Sequence, residues 1–564
     1  GPPLRSVERA SDGDKSRERE RVRVVVPFAV GRKETRDAME GSYGDGGAQA
    51  AVPDLVKQFV VYFYRHIRER NISEIYSMFD SSFNKLSERY FKKTPWPPAA
   101  AIAEFVDNDH VFCLLYKEMY YRHLYAKLTP TLDQRIQSWE TYCQLFGIIL
   151  NRNVNMQLPN GWLWQMIDEF IYQFQSFCQY RSKVYQRSAE EIEALKQCGD
   201  VWSPLAVLNY LQTFVDKSGI VAELEKDGGK HLAETEGYDS SGRGSNVLKV
   251  LGYFARIGLL RVHCILGDYF GGLQAMDPMD LSNKNGLFTK VTLCHISASY
   301  YTGFCYLMMR RYLDAIKIFN QGLSFIARVK QYHSRSSGYD QILHKMEQMY
   351  ALLALSVALC PAGTKLLEEN VQTSLREKHS DKMQKMVRSE LPAFDELFTY
   401  ACPKFITPSL PDYDNPTANV SSEAYKLQLK MFLTEIQQQN QLPVLKQYLK
   451  LYTSISVSKL ADLMGAETDQ LLTLLMRLKH KTYSKTHVMG SGSATEGLWA
   501  SSGDTDFIVD VDKDTAEEMV QIGDIKMQKN YMEYYSNHIA KLKSICATLH
   551  APARQGNNAA VGGW

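Results

Sequence analysis

A glycine-rich stretch near the carboxyl end is the first candidate for chemistry in this 564-residue sequence. Residues 490–497 read Gly-Ser-Gly-Ser-Ala-Thr-Glu-Gly, and Gly492 and Gly497 have the separation found in phosphate-binding loops. In those loops a Lys and a Ser or Thr follow the second glycine and reach phosphate and magnesium, whereas Leu498 and Trp499 occupy these places here. The stretch therefore predicts the flexible tip of a β-hairpin and not a nucleotide site.

A cluster of cationic side chains just before it is the second candidate. Its members are Arg477, Lys479, Lys481 and Lys485. Such a cluster can contact the phosphates of ribosomal or messenger RNA without reading the bases. A helix that reads DNA presents polar and basic side chains from its amino-terminal part, but the helix predicted here begins Thr-Asp-Gln-Leu-Leu at Thr468. We therefore do not expect sequence-specific DNA binding, and RNA contact stays open.

The third candidate is an apolar stripe suited to binding other helices. Its residues follow one another at intervals of four, three, four, three and four positions: Tyr531, Tyr535, His538, Leu542, Ile545 and Leu549. This is the heptad spacing of a helix that packs along a seam. We expect the stripe to pack on other helices, which could belong to this chain or to the bundle of a partner protein.

The motifs of common catalytic and metal sites are missing from the sequence. There is no His-Glu-x-x-His, no nucleophile elbow and no kinase catalytic loop, and the ten cysteines form no Cys-x-x-Cys pair. Lys and Arg number 65 against 63 for Asp and Glu, which argues against a surface that coats nucleic acid or an anionic membrane as a whole. We predict no enzyme, no cofactor and no metal. Dispersed thiols and the lack of about 18 consecutive apolar residues favour a cytoplasmic protein that does not enter a membrane.

Most of the chain is predicted to be helical, and these helices would position the candidate residues. Residues 51–400 read as helix after helix with short Pro, Gly and Asn breaks. Gly303, Tyr306, Ala315 and Phe319 have the small-and-aromatic spacing of a tetratricopeptide-type helix pair, and the stretch around Gly267 repeats part of it. We predict an all-α, helical-repeat (tetratricopeptide-like) array, with an isolated helical hairpin as the alternative.

The carboxyl-terminal part has a different sequence pattern. A Pro-rich linker is predicted over residues 401–424, followed over residues 425–514 by a winged-helix module. Its two short helices, 458–464 and 468–481, flank a turn at Gly465 and form a helix-turn-helix. Residues 506–510 alternate in polarity like an exposed strand of a β-hairpin wing. A long helix over residues 515–550 and a flexible tail over residues 551–564 complete the prediction.

The amino-terminal segment, residues 1–50, is predicted to be a disordered extension. It is dense in charged residues and glycine, and such a composition buries too little apolar area to offset the entropy of ordering. The first methionine is Met39. We therefore interpret residues 1–38 as an extension that need not be native.

Several strings of residues carry a resemblance to a known family. Helical repeats that end in a winged helix resemble the PCI module, which is named for the proteasome lid, the COP9 signalosome and an initiation factor. The longer strings are similar to the subunit L family of eukaryotic translation initiation factor 3, and the similarity covers about residues 52–549. The strings occupy residues 91–97 (Phe-Lys-Lys-Thr-Pro-Trp-Pro), 115–123, 168–177, 306–312, 402–405 (Cys-Pro-Lys-Phe) and 432–452.

The resemblance implies a non-catalytic scaffold subunit that supports small-ribosomal-subunit binding and assembly of the pre-initiation complex. Subunits E and K are the neighbours it implies. The contacts would lie on the winged helix, where the strand with Phe507 and Val509 could add edge to edge to a neighbouring strand, and on the terminal helix in a shared bundle. Two alternatives stay open: a PCI scaffold subunit of the proteasome lid or signalosome, and an RNA-binding winged-helix module.

Overall fold

Helices joined by short turns run from Asp54 to Ala401 in the computed structural model. The structure describes residues 52–151, 154–237, 244–283, 285–331, 338–414, 422–487, 493–501, 505–511 and 517–524, and seven later residues: Tyr535, His538, Ile539, Leu542, Lys543, Ile545 and Cys546. The predictions for residues 1–50 and 551–564, and for Tyr531 and Leu549, lie outside the described residues.

The array contains these helices: α1 (Asp54–Glu69), α2 (Ile72–Ser77), α3 (Phe83–Tyr90), α4 (Ala99–Ile102), α5 (His110–Lys127), α6 (Leu132–Asn151), α7 (Asn160–Ser182), α8 (Ala189–Gln197), α9 (Pro204–Ser218), α10 (Ile220–Asp227), α11 (Lys230–Thr235), α12 (Val247–Leu266), α13 (Tyr269–Met276), α14 (Thr292–Met308), α15 (Tyr312–Val329), α16 (Tyr339–Leu359), α17 (Glu369–Val387) and α18 (Leu391–Ala401).

Local sequence signals set several helix starts. The Ser203 hydroxyl accepts a hydrogen bond from the Ala206 N–H, and Pro204 occupies the first turn of α9. At α8, Ser188 and Glu191 form a reciprocal capping box. Each cap satisfies amide groups that have no acceptor inside the helix.

The helix pair predicted from the spacing around Gly303 is confirmed. A Cβ atom at Gly303 in α14 would lie 2.4 Å from the ring of Phe319 in α15, so only glycine allows this approach. The partial repeat upstream is also a helix pair, because Gly267 turns the chain from α12 into α13 with φ of +87°. These pairs confirm the prediction of a helical-repeat array.

The carboxyl-terminal module combines four helices with five short strands among the described residues. They are α19 (Glu423–Gln439), α20 (Leu442–Leu449), β1 (Ser454–Ser456), α21 (Val457–Met464), α22 (Thr468–Thr482), β2 (Tyr483–Thr486), β3 (Leu498–Ser501), β4 (Thr505–Val511) and β5 (Glu518–Asp524). The strands form an antiparallel sheet in the order β1-β5-β4 and a separate β2-β3 pair. The helix-turn-helix is confirmed, since Gly465 ends α21 in the left-handed conformation with φ of +63°.

Two details of the predicted wing are wrong. The long helix was expected from residue 515, but residues 518–524 form β5, in which Val520 is buried and Gln521 is exposed. The helix formers at the start of this segment suggest a helix, but the alternating burial of its apolar residues against the module core stabilises a strand. The glycine-rich stretch connects β2 to β3, and β4 pairs with β5 instead of with the strand before that stretch.

None of the helices in the described part of the chain combines the length and the apolar character that crossing a bilayer requires.

Candidate interaction surface

Side chains from α20, α21, α22 and the three-stranded sheet form the core of the winged-helix module. Leu471, Leu474, Leu475 and Leu478 of α22 are buried in it. Phe507 of β4 is 6% exposed and belongs to the same core, and Val509 packs against it partly buried. The side chains of these two predicted interaction residues therefore stabilise the module itself. Strand alternation explains this result, because residues two apart share a face.

The outer face of β4 is accessible among the described residues. Ile508, between Phe507 and Val509, is 62% exposed. Within the described sheet, β4 is one of two edge strands and is hydrogen-bonded to β5 on one side, with Ile508 opposite Gln521. The Phe507 carbonyl oxygen accepts a hydrogen bond from Lys479, so part of the strand's backbone is already paired within the module. Backbone groups on an edge strand can pair with a strand of another protein. Ile508, which the sequence analysis did not single out, is the side chain that such a neighbour would meet.

The β2-β3 pair presents a second apolar surface. Leu498 and Trp499 are more than two-thirds exposed. The Lys485 ammonium lies 5.9 Å from the centroid of the Trp499 ring, and the two residues are directly opposite in the strand register. The predicted RNA-contact residue Lys485 therefore covers an aromatic ring.

The other predicted RNA-contact residues are largely used inside the molecule. Lys479 donates a 2.8 Å hydrogen bond to the Phe507 carbonyl oxygen. Lys481 is 9% exposed and forms an ion pair with Glu435 of α19. Arg477 is partly buried on α22. Lys479 and Lys481 therefore each have a partner within the module, and RNA contact by the cluster stays a prediction.

The described residues of the terminal segment present apolar side chains to solvent. Tyr535, Ile539, Leu542 and Ile545 are helical and between 52% and 59% exposed. His538, predicted in the same stripe, is also helical and exposed. Positions three or four apart on a helix share one face. These residues therefore form an exposed apolar stripe, and Ile539 is a member that the heptad spacing missed.

The last part of the predicted flexible tip, residues 493–497, is anchored to the array, against that prediction, while residues 490–492 lie outside the described residues. We call residues 493–497 the strap. Arg311, at the start of α15, donates hydrogen bonds to the carbonyl oxygens of Ala494 (2.9 Å), Thr495 (3.2 Å) and Glu496 (3.2 Å). The same guanidinium forms a buried ion pair with Asp314, at 2.8 Å.

Two further array residues complete the anchor. The Tyr306 hydroxyl donates to the Ala494 carbonyl oxygen at 3.0 Å, and burial raises the pKa of this hydroxyl, which keeps it a donor. Asp314 accepts a hydrogen bond from the His487 N–H at 3.0 Å, just after β2. Both ends of the β2-β3 connection are therefore held by the α14–α15 pair. No local sequence pattern around Arg311 reveals this distant partner.

Helix α19 also binds the module to the array. The Tyr269 hydroxyl donates a 2.6 Å hydrogen bond to the Gln428 side chain, and the rings of Phe398 and Phe432 stack at 4.5 Å. Burial raises the pKa of Tyr269, so its hydroxyl remains a donor. These contacts hold α19 against α13 and α18.

Among the residues that the structure describes, no three His, Cys, Asp or Glu side chains gather into a group that could hold a metal ion. The described surface offers exposed apolar area and an edge strand, features that are common at protein interaction sites.

Comparison with known proteins gives the family. A family model described as RNA polymerase I-associated factor PAF67 matches residues 134–542. Eukaryotic translation initiation factor 3 subunit L of Nematostella vectensis is 41% identical over 525 residues, which cover 91% of this chain and 97% of that protein.

Vertebrate relatives agree. The subunit L proteins of Danio rerio and Homo sapiens are 41% and 40% identical, and the matches cover 91% and 88% of this chain and 91% and 90% of those proteins. Such identity over nearly the whole length confirms the resemblance drawn from the strings of residues, and this chain belongs to the family of eukaryotic translation initiation factor 3 subunit L.

Proposed function

We propose that this chain is a non-catalytic scaffold subunit of translation initiation factor 3 in the cytoplasm. It supports binding of the factor to the small ribosomal subunit and assembly of the pre-initiation complex by holding neighbouring subunits in place. The observation that carries this proposal is the exposed apolar stripe with Ile539, Leu542 and Ile545, each more than half exposed. An apolar stripe on a helix is typical of one that packs against partner helices.

The size of the stripe is suited to a stable contact. Complete burial of one such side chain contributes about 1.5–3 kcal/mol, so burial of the exposed half contributes about 1 kcal/mol. The three aliphatic residues together contribute about 3 kcal/mol, which is roughly a hundredfold in a dissociation constant. The stripe can therefore decide whether the chain joins a helical bundle.

The winged-helix module supplies the second contact. A strand of a neighbouring winged helix would pair with the outer edge of β4 through backbone hydrogen bonds and pack on Ile508. Backbone pairing fixes orientation and side-chain pockets give specificity. Subunits E and K are the neighbours that we propose for these two surfaces.

Purification of the tagged full chain from its native cells, followed by mass spectrometry of the intact complex, tests the proposal. We expect the other subunits of initiation factor 3, including E and K, together with the small ribosomal subunit. Recovery with the proteasome lid, the signalosome or RNA polymerase I would contradict it, and so would a monomer. RNA binding by the isolated chain that falls steeply with salt would favour the RNA-binding alternative.

A further inference from the structure

The strap is held through its backbone except at one side chain. The Ser493 hydroxyl donates a 2.7 Å hydrogen bond to one carboxylate oxygen of Asp277, which follows α13. The other oxygen of the same carboxylate accepts the Ala494 N–H. A single negative charge therefore organises the first two residues of the strap, and it needs both groups to be donors.

We propose that Ser493 is a phosphorylation site and that its phosphorylation releases the strap from the array. In the reaction the seryl oxygen forms a bond to the γ-phosphorus of ATP, the bond from that phosphorus to ADP breaks, and the hydroxyl proton passes to the kinase base. The kinase class is an acidophilic Ser/Thr kinase, because Glu496 lies three residues after Ser493.

Phosphorylation turns the favourable contact between Ser493 and Asp277 into electrostatic repulsion. A phosphoserine carries about −1.5 to −2 charge at pH 7 and no longer has the hydroxyl proton that Ser493 donates. The phosphate would stand against a carboxylate in a half-buried contact, where like charges repel strongly.

Arg311, the cation that binds the strap, is already committed, and Arg256, a second cation that interacts with Asp277, is buried. Arg311 uses Nε and Nη2 on Asp314, and its terminal nitrogens also serve three strap carbonyl oxygens. Turning the guanidinium toward a phosphate would break the buried pair with Asp314, whose side chain is 2% exposed. Compensation by Arg311 would therefore dismantle the same anchor.

Release has a defined structural consequence because β3 begins at Leu498, directly after the strap. The β2-β3 pair, with exposed Trp499, would lose its tie to α14 and α15. Ser493 is partly buried when the strap is docked, so the kinase acts on the transiently released form and traps it. This switch is independent of the proposed scaffold function.

Hydrogen exchange on the full chain tests the release. With phosphoserine incorporated at position 493, or with Ser493→Glu, we expect the amides of His487 and Ala494 to exchange roughly tenfold faster or more, since both lose buried acceptors. Ser493→Ala should change exchange much less, because it removes the hydroxyl contacts with Asp277 and Thr495 but adds no charge. Ser458→Glu, at an exposed site in the same module, should leave the strap protected.

The double variant Asp277→Asn/Ser493→Glu separates charge repulsion from general disruption. Neutralising residue 277 should recover most of the protection that Ser493→Glu loses. Unchanged exchange in the phosphorylated chain would overturn the proposal, as would equal loss in Ser493→Ala and Ser493→Glu. Incubation of the chain with casein kinase 2 and Mg·ATP should place phosphate on Ser493 by mass spectrometry, and the lack of phosphate there would overturn the assignment of the site.

Discussion

One tryptophan of the array and one of the winged-helix module have opposite environments. In the array, Trp162 is 0% exposed, stacks on Phe79 at 4.8 Å and donates through its indole N–H to Glu118. In the module, Trp499 is 69% exposed beside Leu498. Trp162 stabilises the array, whereas Trp499 contributes little to the core of the module and is accessible at its surface. Stability and assembly are therefore separable by mutation.

The largest expected effect comes from the array tryptophan. Trp162→Ala should lower the free energy of unfolding by about 4 kcal/mol, since it leaves a cavity between stacked rings and removes a donor from buried Glu118. Trp499→Ala is the matched control and should change stability by less than about 0.5 kcal/mol. Urea denaturation followed by circular dichroism measures both. Equal losses in the two variants would abolish the contrast between the regions.

A buried histidine gives the array a pH dependence. Burial, with the charge of Arg328, lowers the pKa of His295 to about 4, between the rings of Phe288 and Phe325. The unfolded state takes up a proton near pH 6.5 and the folded state does not, so the stability from neutral His295 is present above pH 6.5 and is lost as pH falls toward 4. The loss amounts to about 3 kcal/mol. Unfolding of His295→Gln between pH 7 and pH 4.5 should show a correspondingly smaller decrease than that of the unmodified chain.

Alanine substitutions at two glycines of the array should change its stability in opposite directions. Gly303→Ala drives a methyl group into the Phe319 ring and should cost about 2 kcal/mol. Gly147→Ala, in α6, meets no atom within 4 Å and should stabilise the chain by up to about 1 kcal/mol through helix propensity. Thermal melting of the two variants measures the difference. A neutral Gly303→Ala would show that the α14–α15 pair yields to an added methyl group.

Sequence patterns predicted the elements that local interactions determine. The two short helices around the turn at Gly465 predicted the helix-turn-helix, and the spacing of Gly303 and Phe319 predicted a helix pair. Strand β5 was missed because its helix-forming residues are overruled by burial of Val520 against the module core.

The strap was missed for a different reason. Arg311 and Ala494 are 183 residues apart, and the hydrogen bonds that join them depend on tertiary structure that no local pattern encodes. Likewise, the sequence suggests that Lys481 is a surface cation, but its side chain is 9% exposed because it forms an ion pair with Glu435 on another helix. Residues that act across the fold are the ones that sequence patterns misassign.

The most direct test of the account compares two neighbouring residues of the terminal helix. Leu542→Asp places a carboxylate in the exposed apolar stripe, and Lys543→Asp places a carboxylate one position away, also on an exposed residue. The control changes the net charge by two units against one for Leu542→Asp, so it is the stricter test of charge alone. Both changes should leave the circular dichroism and the stability of the isolated chain within about 0.5 kcal/mol of the original. In quantitative co-purification from cells, we predict that Leu542→Asp loses the other initiation factor 3 subunits and that Lys543→Asp retains them. Full retention of those subunits by Leu542→Asp would contradict the account.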